Sequence, residues 1–187
     1  MEDKTVILGN GRYGLLTLLG EGYFGEVYLA EDLELEEKVA IKLPSDEVEL
    51  DEVLLEARML NLLRKHERIV SIRNVELEPP RPFIVMDYLP NGSVEARMEA
   101  GEIAVIDTVR WTRDTLDGLA YAHSLGVIHR DIKPGNLLLD DNGGAVISDF
   151  GLAEDTVRKR IAHPDYLYGA HAAPELMAGE PTTPSSD

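Results

Sequence analysis

The feature that most constrains the fold is a glycine-spaced turn between two strand-like stretches near the start of the chain. Residues 12–19 read RYGLLTLL, and residues 26–30, EVYLA, alternate polar and apolar side chains as a half-buried strand does. An acidic turn over residues 31–37 leads to a third stretch, KVAIKL, at residues 38–43. Because strands joined by short turns pair in opposite directions, these residues predict an antiparallel meander of three strands.

A helix is predicted to follow the meander. Pro44 ends the third strand, and Asp46 with Glu49 three residues later resembles a capping box. The helix would run to about Lys65. Its apolar residues fall on one face, namely Val53, Ala57 and Leu60.

Beyond this helix the sequence first predicts two more strands and then a second helix. Strand-like segments occur at residues 69–75 and 83–86, with a proline-rich bend between them. After a break at residues 90–92, apolar residues recur at helical spacing over residues 103–124: Val109, Leu116, Leu119 and Ala120. The predicted class is therefore α+β, with a small sheet lobe followed by a mainly helical lobe.

The glycine-spaced turn reads GEGYFGEV, with glycines at Gly20, Gly22 and Gly25 and a valine at Val27. Glycine lets a backbone approach a polyphosphate closely, but the same spacing occurs in dinucleotide-binding folds. No helix pattern opens after this turn, which disfavours dinucleotide binding. A phosphate-binding loop and a plain hairpin turn both fit this motif when it is taken alone.

A lysine on an otherwise apolar strand is the second candidate. Lys42 ends the stretch VAIK, 17 residues after Gly25. A surface lysine that buries only its aliphatic stem would explain this position equally well. The helix that follows carries Glu56, whose carboxylate can pair with the Lys42 ammonium and hold it against a triphosphate.

A third motif decides between these interpretations. Residues 129–136 read HRDIKPGN, and residues 149–151, DFG, begin 13 residues after Asn136. This arrangement resembles the protein-kinase signature H-R-D-x-x-x-x-N followed by D-F-G. The glycine turn, the strand lysine, the helix glutamate and the APE of residues 173–175 complete six motifs in order. Over residues 12–179 the chain thus resembles the catalytic domain of a eukaryotic-type serine/threonine protein kinase.

The resemblance implies ATP and Mg²⁺ as cofactors. Asp131 would accept the proton of the substrate hydroxyl, and Lys133 would neutralise charge on the transferred phosphate. Lys42, oriented by Glu56, would pair with the α- and β-phosphates. Hard oxygen ligands for Mg²⁺ would come from two further residues, Asn136 and Asp149.

The resemblance also implies which residues surround the nucleotide. Met86 would lie at the back of the adenine pocket, and backbone groups of Asp87 and Leu89 would bond to the adenine edge. Val27, Ala40 and Leu138 would pack on its two faces. The full set of implied ATP contacts is Leu19, Gly20, Glu21, Gly22, Tyr23, Phe24, Gly25, Val27, Ala40, Lys42, Met86, Asp87, Leu89 and Leu138.

Lys133 within the catalytic loop resembles the serine/threonine branch of the family and implies a protein substrate. Arg130, before the catalytic aspartate, suggests control by a phosphate on the activation segment, because arginine pairs with phosphate in a bidentate fork; an arginine kept for loop packing is the alternative. The candidate phosphate acceptors are Thr156, Tyr166 and Tyr168.

The activation segment departs from the family pattern. Serine/threonine kinases usually carry G-T-x-x-Y-x-A-P-E, but residues 167–175 read LYGAHAAPE. The threonine that contacts the catalytic aspartate and lysine is absent, and Tyr168 takes its place in an ungapped alignment, which leaves the substrate class open. His163 and His171 lack a carboxylate or thiolate partner set, so they are interpreted as loop histidines rather than metal ligands.

The family's catalytic domain is longer than this chain of 187 residues. We therefore expect an N-lobe over residues 1–89 and an incomplete C-lobe over residues 90–187. The aspartate that anchors the backbone of residues 129–130, and the arginine that pairs with Glu175, should be missing. The hydrophobic stack through three residues would then lack a base: Leu60, His129 and Phe150. An exposed apolar face, lowered stability and self-association through the C-lobe should follow.

Composition narrows the partners. The chain has 35 acidic and 18 basic residues, a net charge of −17, which disfavours nucleic acid because binding there requires neutralisation of phosphates. An ordinary solvated surface and adaptation to high salt both explain this charge. With no cysteine, no signal-peptide core and no apolar run of about 20 residues, we expect a cytoplasmic protein that does not enter membranes.

Two other functions compete with an active kinase. An ATP-binding regulatory module without phosphate transfer would keep the same motifs, and the shortened C-lobe favours it. A kinase for small molecules would share the aspartates and asparagine of the catalytic centre, but such enzymes usually lack the APE segment and have a different glycine loop.

Overall fold

A computed structural model of the chain describes residues 6–22, 24–77, 81–101, 103–157, 160–161 and 171–187. The chain divides into two compact units. The first draws on Met1–Ala57 and Ser71–Tyr88, and the second on Arg58–Val70 and Leu89–Asp187. Among the residues in these described ranges, no helix has both the length and the apolar character needed to span a membrane.

The first unit is built on a six-stranded sheet in which every neighbouring pair is antiparallel. In chain order the strands are β1 (Ile7–Leu8), β2 (Tyr13–Gly22), β3 (Gly25–Asp32), β4 (Glu37–Pro44), β5 (Ile72–Glu76) and β6 (Phe83–Asp87). Their spatial order is β1-β2-β3-β4-β6-β5. β2, β3 and β4 are the predicted meander. One face buries an apolar core that includes Tyr13, Val39, Ile41, Phe83 and Val85.

The predicted helix forms as α1 (Leu50–Leu63), but it begins later than its sequence suggested. Residues 45–48 form a turn, and the capping box of Asp46 and Glu49 is not made among the described residues. Instead the Glu49 amide donates to the Glu52 carboxylate at 3.0 Å, which is the reciprocal half of a capping box three residues downstream. The buried face carries the predicted residues Val53, Ala57 and Leu60.

The second unit contains the remaining helices and three short strand pairings. Its helices are α2 (Val94–Ala100), α3 (Val105–Ser124) and α4 (Pro174–Met177). Its strands are β7 (Val127–Ile128), β8 (Leu137–Leu139), β9 (Ala145–Ile147), β10 (Glu154–Asp155) and β11 (Arg160–Ile161). β8 pairs with β9, and β10 pairs with both β7 and β11. The described residues of this unit also form 3-10 turns at Pro134–Asn136 and Pro184–Ser186.

The apolar positions predicted for α3 fall on two different faces. Leu119 is buried together with Trp111, Thr115 and Ala122. Val105, Val109 and Leu116 instead form an exposed stripe, with 79%, 57% and 61% of each residue accessible. Residues four and seven positions apart share one face of a helix, so Val109 and Leu116 belong to this stripe and not to the core. The expectation of an exposed apolar face in the helical part agrees with this stripe.

Candidate active site

A buried ion pair lies in the first unit. Lys42 on β4 donates from Nζ to both carboxylate oxygens of Glu56 on α1, at 2.7 and 3.0 Å. The two side chains are only 7% and 10% exposed. Burying two charges is expensive even when they pair, so such a pair is weak evidence for stability. The pairing expected from the sequence is present, and it fixes the ammonium group in one place.

The glycine-spaced turn joins β2 to β3, with Gly22 opposite Gly25 in the strand register. Gly25 has φ of 130°, and a Cβ added there would lie 2.0 Å from the carbonyl oxygen of Leu43. Only glycine fits this position. By contrast, a Cβ at Gly20 or Gly22 would meet no atom of the described residues within 4 Å, apart from its chain neighbours, so the backbone has open space at these two positions.

The residues predicted to contact adenine are divided between the two units. Ala40 and Met86 are register partners on β4 and β6, and both are buried. The Asp87 amide already donates to the Ser71 carbonyl at 3.0 Å, so the amide is not the group that would bond to a ligand. Leu89 and Leu138 belong to the second unit. Predicted positions that lie outside the described residues are Tyr23, His163, Tyr166 and Tyr168.

The catalytic loop follows β7 and closes around Asp131. Lys133 Nζ donates to Asp131 Oδ2 at 2.7 Å, and Asn136 Nδ2 donates to the same oxygen at 2.9 Å. Asn136 Nδ2 also donates to the Asp131 backbone carbonyl at 2.8 Å. Proline at the first position of the 3-10 turn Pro134–Asn136 presets its backbone. The short spacing of the motif thus brings two predicted site residues, Lys133 and Asn136, onto one carboxylate.

Asn136 and Asp149 flank the β8–β9 hairpin. Leu137 pairs with Ile147, and both the amide and the hydroxyl of Ser148 donate to the Asn136 carbonyl, at 2.9 and 3.0 Å. The two predicted metal ligands therefore come at the same end of one hairpin. Asp149 has φ of 59°, an uncommon backbone conformation that is found at functional sites.

The donor set of these two residues fits Mg²⁺. Because the Asn136 nitrogen is engaged by Asp131, the amide oxygen is the atom that remains for a metal, and Asp149 adds a carboxylate. Mg²⁺ prefers oxygen ligands and commonly takes only one or two from protein, with the rest from phosphates and water. Within the described ranges no group of three or more His, Cys, Asp or Glu residues could hold a metal, so no rival site of that kind competes.

Asp187 was not predicted to have a role, and it corrects the expectation that the anchoring aspartate is missing. Its Oδ2 accepts from the His129 amide at 2.8 Å, and its Oδ1 accepts from the Arg130 amide at 2.6 Å. His123 Nε2 lies 2.8 Å from Oδ2. The Asp187 side chain is fully buried. These bonds hold Arg130 at φ of 70°, directly before Asp131, the predicted catalytic residue.

The stack through Leu60, His129 and Phe150 also differs from expectation. All three residues are completely buried. The His129 and Phe150 rings meet edge-to-face with centroids 4.6 Å apart, and His129 Nε2 lies 2.9 Å from the Ser148 carbonyl. The expectation that the stack lacks a base is wrong, since Asp187 supports the His129 backbone.

Glu175 likewise has a partner. Ser186 Oγ donates to Glu175 Oε1 at 2.5 Å, and this hydrogen bond lowers the pKa of Glu175 below its ordinary value. Thr183 caps the 3-10 turn Pro184–Ser186 through a capping box. A threonine followed by proline is a recognisable turn start, and it is the signal that could have revealed this capped turn.

Comparison with known proteins agrees with this geometry. The sequence matches the protein kinase domain over residues 13–187. The chain belongs to the protein kinase family. The predicted class is thereby confirmed: an α+β kinase fold with an antiparallel sheet and one helix first, followed by a more helical part.

Similar kinases come from plants. "CBL-interacting protein kinase 16" of Oryza sativa subsp. japonica is 35% identical over 186 residues, covering 95% of this chain and 40% of that protein. "CBL-interacting serine/threonine-protein kinase 12" of Arabidopsis thaliana is 34% identical over 175 residues, covering 90% of this chain and 36% of that protein. The chain thus spans about two fifths of the length of these kinase relatives.

Proposed function

We propose that this chain transfers the γ-phosphate of ATP, with Mg²⁺, to a serine or threonine hydroxyl of a protein. The observation that best supports this is the hydrogen bonding of the Asp131 carboxylate. Lys133 and Asn136 both donate to Oδ2, and Oδ1 accepts no hydrogen bond from any described residue. A carboxylate fixed through one oxygen presents the other in a defined direction, as a proton acceptor requires.

Each remaining side chain then has a role that its contacts allow. Asp131 Oδ1 accepts the proton of the substrate hydroxyl, while the Lys133 ammonium offsets negative charge beside it. Lys42, held by Glu56, binds phosphate oxygens, and the open backbone of the glycine turn lies against the same group. Asn136 and Asp149 would hold Mg²⁺, which would supply positive charge to the phosphate oxygens.

The adenine contacts belong to the same proposal. Val27, Ala40, Met86 and Leu138 supply apolar surface, and the Asp87 carbonyl and the Leu89 backbone bond to the base edge. We also propose that the protein is cytoplasmic. We propose in addition that the boundary between its N-lobe and C-lobe lies between residues 89 and 90.

The exposed stripe of α3 supports a further proposal, self-association of the chain. Val105, Val109 and Leu116 expose apolar side chains along one helix face, and exposed apolar surface of this kind marks association sites. Light scattering should show species larger than a monomer, and Leu116→Glu should shift them towards monomer. A wild-type chain that stays monomeric at high concentration would end this proposal.

One experiment separates transfer from binding alone. Labelled ATP, Mg²⁺ and a generic protein substrate are incubated with the wild type, with Asp131→Asn and with Asp141→Asn, an exposed aspartate in the β8–β9 turn that serves as the control. We expect ATP binding by all three chains and phosphate transfer by the wild type and the control only. ATP binding without transfer by any chain would instead favour a regulatory ATP-binding module.

A further inference from the structure

The guanidinium of Arg130 has few hydrogen-bond acceptors among the described residues. Its Nη1 donates to the Leu152 carbonyl at 3.3 Å. Its Nε is buried and finds no acceptor in the part of the chain that the structure describes. Because burial penalises the charged form, it lowers the pKa of the Arg130 guanidinium. A half-buried guanidinium of this kind requires negative charge close by.

Two carboxylates of the chain supply negative charge near this guanidinium. Both Glu154 and Asp187 oppose the effect of burial on the pKa of Arg130, and Glu154 has the larger influence of the two. Asp187 is committed to backbone amides and His123. Glu154 instead accepts from the Thr182 hydroxyl, and we treat it as the carboxylate that compensates the charge of Arg130.

Strand pairing places Glu154 beside the catalytic loop. On β10 it is the register partner of Ile128 on β7, two residues before Arg130. The carbonyl that Arg130 contacts belongs to Leu152, two residues before Glu154. Thr182 donates its hydroxyl to the Glu154 carboxylate and so restrains it. Two short strands and one threonine thus fix Glu154 beside the segment that leads into the loop of Arg130.

The phosphate acceptor candidate that the structure describes is engaged elsewhere. The Thr156 hydroxyl donates to the Gly126 carbonyl at 2.8 Å, and the Thr156 amide donates to the same oxygen. A phosphate on this hydroxyl would remove that bond. Nothing in the arrangement of Thr156 directs its oxygen to Arg130.

The geometry points to Glu154 as a positioning residue that acts through Arg130. Its carboxylate compensates the arginine charge and keeps the catalytic loop in place, so that phosphate transfer does not require a phosphate on the segment between Asp155 and Glu175. This inference rests on the proposed function for its catalytic consequence. Its electrostatic core, the coupling of Glu154 to Arg130, can be tested without activity.

The first test is a double-mutant cycle in thermal unfolding with Glu154→Gln, Arg130→Gln and the double variant. We expect Glu154→Gln to lower the midpoint by about 2–4 °C, and the double variant to lie no lower than the less stable single variant. Glu99→Gln, which removes an exposed carboxylate from α2, should leave the midpoint unchanged within about 1 °C. Midpoint shifts that simply add would overturn the inference, whatever the activity of the chain.

The second test measures initial rates after phosphatase treatment, with mass spectrometry confirming that no phosphate remains. We expect the treated wild type to keep its full initial rate without a lag. Glu154→Gln should lower kcat at least about tenfold with the KM for ATP unchanged, and Glu154→Asp should recover part of the loss. Loss of the wild-type rate on dephosphorylation would overturn the inference, and so would a fully active Glu154→Gln. If no chain transfers phosphate, the proposed function fails, and the unfolding cycle still decides the role of Glu154.

Discussion

Replacing Asp187 should strongly destabilise the loop of residues 129–136. Asp187→Ala removes a fully buried carboxylate that accepts from the His129 and Arg130 amides and lies against His123. It leaves up to three donors without their acceptor. It also releases the restraint on Arg130 at φ of 70°.

The expected cost follows from these contacts. A hydrogen bond to a charged group contributes about 1.5–3 kcal/mol, and a buried donor left unsatisfied costs about 1–3 kcal/mol. Because water can reach part of the space left by the side chain, we expect a total of about 3–5 kcal/mol rather than the full sum. This is a large share of the roughly 5–15 kcal/mol that stabilises a typical domain. Asp187→Asn keeps one acceptor oxygen and should lose about half as much.

Urea unfolding followed by the fluorescence of Trp111 measures this effect. Trp111 is the single tryptophan of the chain and is buried in the same unit. With a slope of about 2 kcal/mol per molar urea, Asp187→Ala should lower the midpoint by about 1.5–2.5 M. Asp141→Ala, at an exposed turn, is the matched control and should have no effect. A midpoint within about 0.3 M of the wild type would refute the reasoning.

Three further predictions concern other parts of the two units. Gly25→Ala places a Cβ 2.0 Å from a β4 carbonyl at φ of 130°, so it should lower the thermal midpoint by at least about 4 °C in a calorimeter. Lys42→Met leaves the buried Glu56 carboxylate without the Lys42 ammonium and should lower the free energy of unfolding in urea by about 3–5 kcal/mol. The double variant with Glu56→Met should recover most of this loss. Equal losses in the single and double variants would contradict the prediction. Ser186→Ala removes the bond that lowers the pKa of Glu175 from its ordinary 4.5. That stabilisation is complete above pH 4.5 and is lost as the pH falls through the lower folded pKa, so wild type and variant should differ in urea midpoint at pH 7 and converge in acid.

The sequence predicted those parts of the structure that depend on local pattern. Alternating side chains and a glycine turn are sufficient to specify the β2–β4 meander. Lys42 and Glu56 are 14 positions apart in the sequence. This separation is short enough for a lysine at the end of a strand to meet a glutamate on the helix that follows. The spacing of residues 129–136 brings Lys133 and Asn136 to one carboxylate because a single turn separates them.

The start of α1 and the role of Asp187 could not be read in this way. Several acidic residues precede α1, so the sequence offers competing caps, and the turn over residues 45–48 selects Glu49 and Glu52. Asp187 comes in a polar segment without hydrophobic periodicity. Its contacts with His129 and Arg130 join residues 57 and 58 positions apart, and no local pattern encodes a pairing over that distance.

The central claim is that Asp131, whose carboxylate is fixed through one oxygen, accepts the proton of the substrate hydroxyl during phosphate transfer. The most direct test is the rate at which labelled γ-phosphate appears on serine or threonine of a protein substrate at saturating ATP and Mg²⁺. A positioned proton acceptor contributes about 10²–10⁴-fold, so Asp131→Asn should be at least about 100-fold slower than Asp141→Asn. Equal rates for these two variants would contradict the account.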